Sequence, residues 1–239
     1  MTNNNTSALS FDTSHWRFDQ TVTDVFDDHV RQSVPMYEEM HRLVADVSCW
    51  FVTDETNVYD IGTSTGEAIA NVSALHKGKN ISYIGLDTSE SMIQKANLRF
   101  KDRPDVQIMH GDATRDAVTL QNASFVTSIL TMQFVDPSKR QRVLNKIYDG
   151  LNVGGGFVLI EKVIGSTTRF DQMYVELYHE LKLKNGLSME HVFNKSRSLR
   201  GVQRPNTIEE NREMLSVAGF KDIDIFFKWA NFTAFLAMK

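Results

Sequence analysis

The sequence predicts an α/β fold: a mostly parallel sheet with helices on both faces. Three observations predict it. Short runs rich in Val, Ile, Phe and Tyr alternate with helical segments from Asn57 to Ile160. A glycine turn, Gly62-Thr63-Ser64-Thr65-Gly66, joins the first of these runs to the helix that follows. Acids close the first three runs, at Asp60, Asp87 and Asp112. Strand and helix alternating in this way means right-handed βαβ units.

The elements follow in order. Residues 1–15 read as a polar, flexible tail, and 16–239 as a single domain. Residues 16–52 read as a helical cap: Val22, Val25, Phe26, Val30 and Val34 recur near helical spacing, and Pro35 interrupts them. A second amphipathic segment then carries Tyr37, Met40, Leu43, Val44 and Val47 on one side. Asn57–Ile61 is the first strand, Ser64–Ser73 a helix, Ile81–Leu86 a strand and Ser89–Phe100 a helix. Strands at Val106–Met109 and Ala123–Leu130, a helix from Pro137 to Leu151, and a strand after Gly154-Gly155-Gly156 complete the alternation. Residues 163–205 break it and read as a helical insertion, with one helix over Asp171–Lys184 and a turn at Gly186. Thr207–Val217 is the next helix, stopped at Gly219. Ile223–Trp229 and Phe232–Met238, joined at Ala230-Asn231, read as an antiparallel hairpin added to the sheet.

Composition narrows the function. The chain has 239 residues, 41% hydrophobic and 23% charged, an ordinary globular mixture. This excludes a disordered chain, a collagen-like fibre and a coiled coil. A net charge of -4 supplies no cationic field to gather nucleic acid, so no direct nucleic-acid binding is expected. No apolar run approaches the roughly 18–20 residues of a membrane span, and the polar N-terminus lacks a secretory signal pattern. A cytoplasmic protein with no membrane partner is expected. Cys49 is the sole cysteine, so no intrachain disulfide is possible. Within Cys49-Trp50-Phe51-Val52 it reads as a buried small hydrophobe. No metal site is expected.

The chemistry points to the glycine turn. Gly62 permits positive φ and close approach of a ligand to the backbone, and a helix N-terminus offers free N–H groups. Ligands of open α/β sheets sit beyond the carboxyl ends of the strands. A dinucleotide fingerprint needs a third glycine three residues after the second, and the spacing of Gly62-Thr63-Ser64-Thr65-Gly66-Glu67 fails it. A nucleophile elbow matches Gly62, Ser64 and Gly66 in letters, but His179 and His191 both fall in the insertion. The reading that fits is the S-adenosylmethionine loop of class I methyltransferases. Asp87 falls 21 residues after Gly66, where an acid accepts from ribose hydroxyls. Asp112 can accept from an adenine amino group.

Several stretches together resemble the carboxy-S-adenosyl-L-methionine synthase family. They are Phe18-Asp19 with Val25-Phe26, Arg31 to Tyr37, Val58 to Ser64, Met132-Gln133-Phe134, Lys146 to Asn152, Gly155-Gly156, Glu161-Lys162, and Phe226-Phe227 to Asn231-Phe232. The resemblance implies a Rossmann-like class I methyltransferase fold. Its sheet has seven strands, with a terminal antiparallel hairpin, the N-terminal helical cap and the helical insertion. It implies an enzyme that uses S-adenosyl-L-methionine and a small molecule, prephenate. Prephenate would yield phenylpyruvate, and the cofactor would leave as carboxy-S-adenosyl-L-methionine for wobble-uridine modification of tRNA. By resemblance Tyr37, Gly62, Thr63, Ser64, Asp87, Thr88, Asp112 and Ala113 line the cofactor pocket. Ile129 stands where the family has a pocket asparagine, and Thr63 where it often has cysteine. Arg197 matches the arginine that pairs with the added carboxylate, a group that suits a guanidinium fork. After it, Arg200-Gly201-Val202-Gln203 replaces a more acidic stretch. The resemblance also suggests a homodimer joined through residues 163–205. Two other functions fit the residues: a conventional methyltransferase acting on a small molecule or tRNA, and a protein that binds the cofactor without turnover.

Overall fold

The computed structural model describes residues 20–239. The tail expected over residues 1–15, the start of the expected cap and the Phe18-Asp19 pair lie outside the described residues.

Seven strands form one sheet: β1 (Thr56–Ile61), β2 (Ile81–Asp87), β3 (Val106–His110), β4 (Ala123–Ile129), β5 (Leu151–Lys162), β6 (Asp222–Trp229) and β7 (Phe232–Met238). Their order is β3-β2-β1-β4-β5-β7-β6. The first five are parallel; β7 pairs antiparallel with β5 and β6. The expected mostly parallel sheet with its terminal hairpin is therefore what forms, and Ala230 takes the left-handed conformation (φ 42°) that turns the hairpin. The central strands β1 and β4 are buried almost throughout, as a sheet covered on both faces requires. Strand order reverses between β1 and β4, which opens a crevice at their carboxyl ends.

Each face has its own core. On one, α1 (Gln20–Ser33), α2 (Tyr37–Ser48), α3 (Glu67–Leu75) and α4 (Glu90–Arg99) surround Val58, Phe125, Val158 and Ile160. On the other, α5 (Pro137–Gly150) and α8 (Ile208–Ala218) cover Tyr59, Val126, Phe157 and Leu159. Local chemistry sets the helix ends. Ser89 caps α4, Asp136 with Pro137 starts α5, and a reciprocal Thr207–Glu210 capping box starts α8. Gly219, at φ 119°, ends α8 as the sequence predicts.

Three expectations are corrected. The helix expected from Ser64 begins at Glu67, because Ser64 and Gly66 are both left-handed (φ 50° and 82°). The insertion holds two helices, α6 (Thr168–Lys184) and α7 (Met189–Ser198), where the sequence suggested one. Cys49 is exposed rather than buried: α2 ends at Ser48, Cys49 caps it, and Phe51 and Val52 are the members of that run that turn inward. Among the described residues no helix is long and apolar enough to cross a membrane.

Candidate cofactor site

At the β1/β4 reversal the carboxyl ends of four strands frame a cleft of about 360 Å³. The turn after β1 forms its floor. The Gly62 and Thr63 N–H groups donate to the Leu86 carbonyl, tying the turn to β2. Gly62 has φ 77°, and a Cβ there would collide with the Thr131 side chain, so only glycine fits. Ser64, a non-glycine residue held left-handed, donates its N–H to Asp87 Oδ2 at 2.8 Å. Asp87 Oδ1 accepts from the Ser89 N–H at 2.9 Å. Asp87 therefore fixes the turn and the start of α4 together, with lone pairs left for a ligand. Backbone strain of this kind, about 1–2 kcal/mol, persists where surrounding bonds over-determine it.

Asp112 lies in the loop after β3. Its Oδ1 accepts from the Thr114 N–H at 2.9 Å, and Arg115 lies against its Oδ2 at 3.3 Å. Partial burial pushes its carboxyl up, but the Thr114 and Arg115 contacts outweigh it and hold the group below its ordinary value. Asp60 is different. It is buried behind the turn and accepts from the Thr127 hydroxyl at 2.7 Å. Burial pushes it up to about 6 against that hydrogen bond.

The opposite wall follows β4. Leu130, left-handed at φ 55°, leads into a short 3-10 turn, Met132–Phe134. The Glu161 carboxylate at the end of β5 receives three backbone N–H groups there, from Thr131 (3.0 Å), Met132 (2.8 Å) and Gln133 (2.8 Å). Burial pushes Glu161 up to about 8, with the hydrogen bonds and Arg140 acting the other way. Arg140 is itself buried and spans the Val135 carbonyl (3.0 Å) and Asn206 Oδ1 (2.7 Å). The cap is pinned to the floor by the Thr65 hydroxyl, which donates to Asp27 at 2.7 Å, and Asp27 pairs with Lys95 at 2.8 Å.

Of the residues expected to bind the cofactor, Gly62, Ser64, Asp87, Thr88, Asp112 and Ala113 line this cleft. Thr63 is buried behind the floor. Tyr37 and Ile129 pack instead against the cap-side core, Tyr37 edge-on to His41 at 4.6 Å. Arg197 is exposed on α7, its guanidinium 5.7 Å from the Phe193 ring centre. The cleft also takes lining from Phe26, Met92, Met132, Phe134 and Lys139. No spacing rule marks these, since they reach it from separate helices and a turn. Glu161 and Met132–Phe134 were visible only as resemblance.

A glycine cradle, one carboxylate on a strand end and a second on the next loop are the elements of an S-adenosylmethionine-type site. The chain has the methyltransferase class of fold, and residues 58–155 match the family described as "Methyltransferase domain". Solved structures show the same fold at low identity. One is human N-acetylserotonin methyltransferase in complex with S-adenosylmethionine (TM-score 0.61, 18% identity, 92% of this chain and 56% of that one). Another is a phosphoethanolamine N-methyltransferase of Haemonchus contortus (TM-score 0.59, 16% identity, 83% and 52%). Sequence relatives are more specific. The chain is 42% identical over 233 residues to the carboxy-S-adenosyl-L-methionine synthase of Staphylococcus epidermidis, covering 97% of this chain and all of the relative. It is 35% identical to that of Methylococcus capsulatus, covering 93% of each. The chain belongs to the carboxy-S-adenosyl-L-methionine synthase family, enzymes built on the methyltransferase fold.

Proposed function

We propose that the protein makes carboxy-S-adenosyl-L-methionine from S-adenosyl-L-methionine and prephenate. The observation that carries the reading is the meeting of the Gly62–Ser64 turn, Asp87 and Asp112 on one cleft. The residues fit the cofactor: the floor admits only glycine at position 62, and two carboxylates stand ready to accept hydrogen bonds. Asp87 would hold the ribose hydroxyls, Asp112 and Ala113 the adenine edge, and Ser64 and Thr88 the polar groups between them. Bound there, the cofactor supplies an activated sulfonium methyl group.

In the proposed reaction prephenate loses carbon dioxide and hydroxide and leaves as phenylpyruvate. The hydroxide takes a proton from the methyl group and leaves as water, and the carbon dioxide is joined to the methyl carbon. The product would serve wobble-uridine modification of tRNA in the cytoplasm. We read residues 16–239 as one cofactor-binding domain and the assembly as a homodimer. The surface of the insertion supports the dimer, with Phe170, Met173, Leu177, Met189 and Phe193 exposed on α6 and α7. Arg197 projects from this same surface, so its pairing with the added carboxylate is proposed for the assembled dimer. Tyr37, Thr63 and Ile129 shape the pocket from behind its walls.

The test is incubation of the purified protein with both substrates, followed by mass spectrometry. The reading expects a cofactor heavier by one carbon dioxide, with phenylpyruvate in equal amount. Unaltered cofactor with prephenate, and methyl transfer to another acceptor, would establish conventional methyltransferase activity instead.

A further inference from the structure

A second group of titratable side chains lies beyond the carboxyl end of β5, outside the cofactor cleft. Lys162 is the last residue of β5, and Lys182 lies in the last turn of α6. Their ammonium groups face one ring, that of Tyr178, at 4.7 and 3.9 Å from its centre. Lys182 is only 6% exposed. Neither ammonium group has a hydrogen bond or ion pair among the described residues. Asp171 is the one described carboxylate that acts on Lys162, and none acts on Lys182. Lys195, His191 and His29 add positive or proton-accepting groups on the flank, from α7 and α1.

This arrangement is costly by itself. A buried ammonium group without a counter-charge loses its hydration, and a second one close by adds repulsion. Burial accordingly pulls both lysines down, Lys182 to about 7. The Tyr178 ring offsets part of this through cation–π attraction. A bound anion would offset the rest.

The group is also joined to the wall of the cofactor cleft. Lys162 directly follows Glu161, whose carboxylate holds Thr131, Met132 and Gln133, and Thr131 and Met132 line the cofactor cleft. Its own N–H donates to Gln133 Oε1 at 3.3 Å. Ile129, at the end of β4, pairs with Ile160 two residues before it. Apolar walls are present as well: Phe232 lies edge-on to Tyr178 at 5.1 Å, and Trp229 edge-on to Phe232 at 6.4 Å.

We propose that Lys162 and Lys182, set around Tyr178, form the carboxylate-binding subsite for the anionic second substrate of this enzyme. The ligand class is a small organic di-acid with an apolar or cyclic body. One carboxylate meets each ammonium group, and the carbon body rests against Tyr178 and Phe232. The inference rests on the two-substrate reading above, and its test separates the two.

Prephenate and succinate are titrated separately into the full-length protein loaded with S-adenosylhomocysteine, so that no turnover occurs. Wild type, Lys162→Met and Lys182→Met are compared by calorimetry. Methionine keeps the length of the stem and removes the charge, so thermal midpoints are expected to hold or rise. S-adenosylmethionine binding to each unloaded protein is the control. Each variant is expected to lose at least about tenfold in affinity for both acids, the effect of one charged hydrogen bond. Cofactor affinity is expected to stay within about twofold, and Lys182→Arg to retain acid binding. Wild type that binds neither acid, or variants that bind both as tightly as wild type, would overturn the subsite. Equal losses for acid and cofactor would overturn it too, by making the lysines structural. Succinate binding that depends on the lysines, without prephenate binding, would keep the subsite and remove prephenate from the proposed reaction.

Discussion

The carboxyl edge of the sheet carries two sites of opposite character. Beyond β1 to β4, carboxylates meet backbone N–H groups: Asp87 takes the Ser64 and Ser89 amides, and Asp112 takes that of Thr114. Beyond β5, ammonium groups crowd around an aromatic ring with almost no counter-charge among the described residues. The acidic side is complete without ligand, because each acid already has partners that hold it in place. The basic side is not: among the described residues Asp171 is the one carboxylate that acts on Lys162, and none acts on Lys182. On the proposed reading one side of the edge orients a cofactor and the other attracts an acid. The Thr131–Gln133 turn, held by Glu161, separates them.

The largest effect that could break this contrast is at Asp87. Asp87→Ala removes the acceptor for two backbone N–H groups and, on the proposed reading, for the ribose hydroxyls as well. With charged hydrogen bonds at roughly 1.5–3 kcal/mol each, cofactor affinity is expected to fall by about a hundredfold or more. Acid binding at the lysines should survive. Calorimetry with each ligand checks both statements, and unchanged cofactor affinity would remove Asp87 from the site.

Asp60 sharpens the contrast by pH. Its carboxyl lies near 6 in the folded chain against an ordinary value of 3.8. The folded protein therefore holds a proton that the unfolded chain has already lost. That contribution is fully present below about pH 4 and is lost as pH rises through 6. The displacement from 3.8 to about 6 corresponds to roughly 3 kcal/mol. Asp60→Asn is expected to flatten this slope, with denaturation midpoints at pH 4 and 7 closer together than in wild type. Equal slopes would show that Asp60 ionises freely in the fold.

Arg197→Ala is expected to lose about 30-fold in affinity for the carboxylated cofactor, at the lower end of the cost of breaking a desolvated charge pair. Plain S-adenosylmethionine should bind as before, since it carries no carboxylate there. A pair of isotherms decides it, and equal losses for both ligands would make Arg197 structural. Ile129→Asn is expected to be smaller still. Ile129 packs on the cap-side core, so an amide there is left unpaired at a cost of roughly 1–3 kcal/mol. A gain in cofactor affinity would contradict that account of the pocket.

What could be read from the sequence was local. A strand that ends in an acid and a glycine turn that feeds a helix are short-range patterns, so Gly62, Asp87 and Asp112 were identifiable before any fold was known. So was the terminal hairpin, from two apolar runs around Ala230-Asn231. The start of α3 was not. Ser64 turns left-handed because a carboxylate from another strand takes its N–H, and no property of Ser64 announces that. α7 escaped notice because it is ten residues long and mostly polar, with Val192 its one buried apolar residue. The lysine pair was hidden for a third reason. Lys162 and Lys182 are 20 positions apart and come together only when the fold sets both against the ring of Tyr178.

The central claim is that the acidic cleft and its neighbouring subsite act on one cofactor to add a carboxyl group. Mass spectrometry of the small molecule that co-purifies with the freshly isolated protein tests it most directly. The account predicts S-adenosylmethionine carrying one additional carbon dioxide. Only the unmodified cofactor, from cells that contain prephenate, would contradict it.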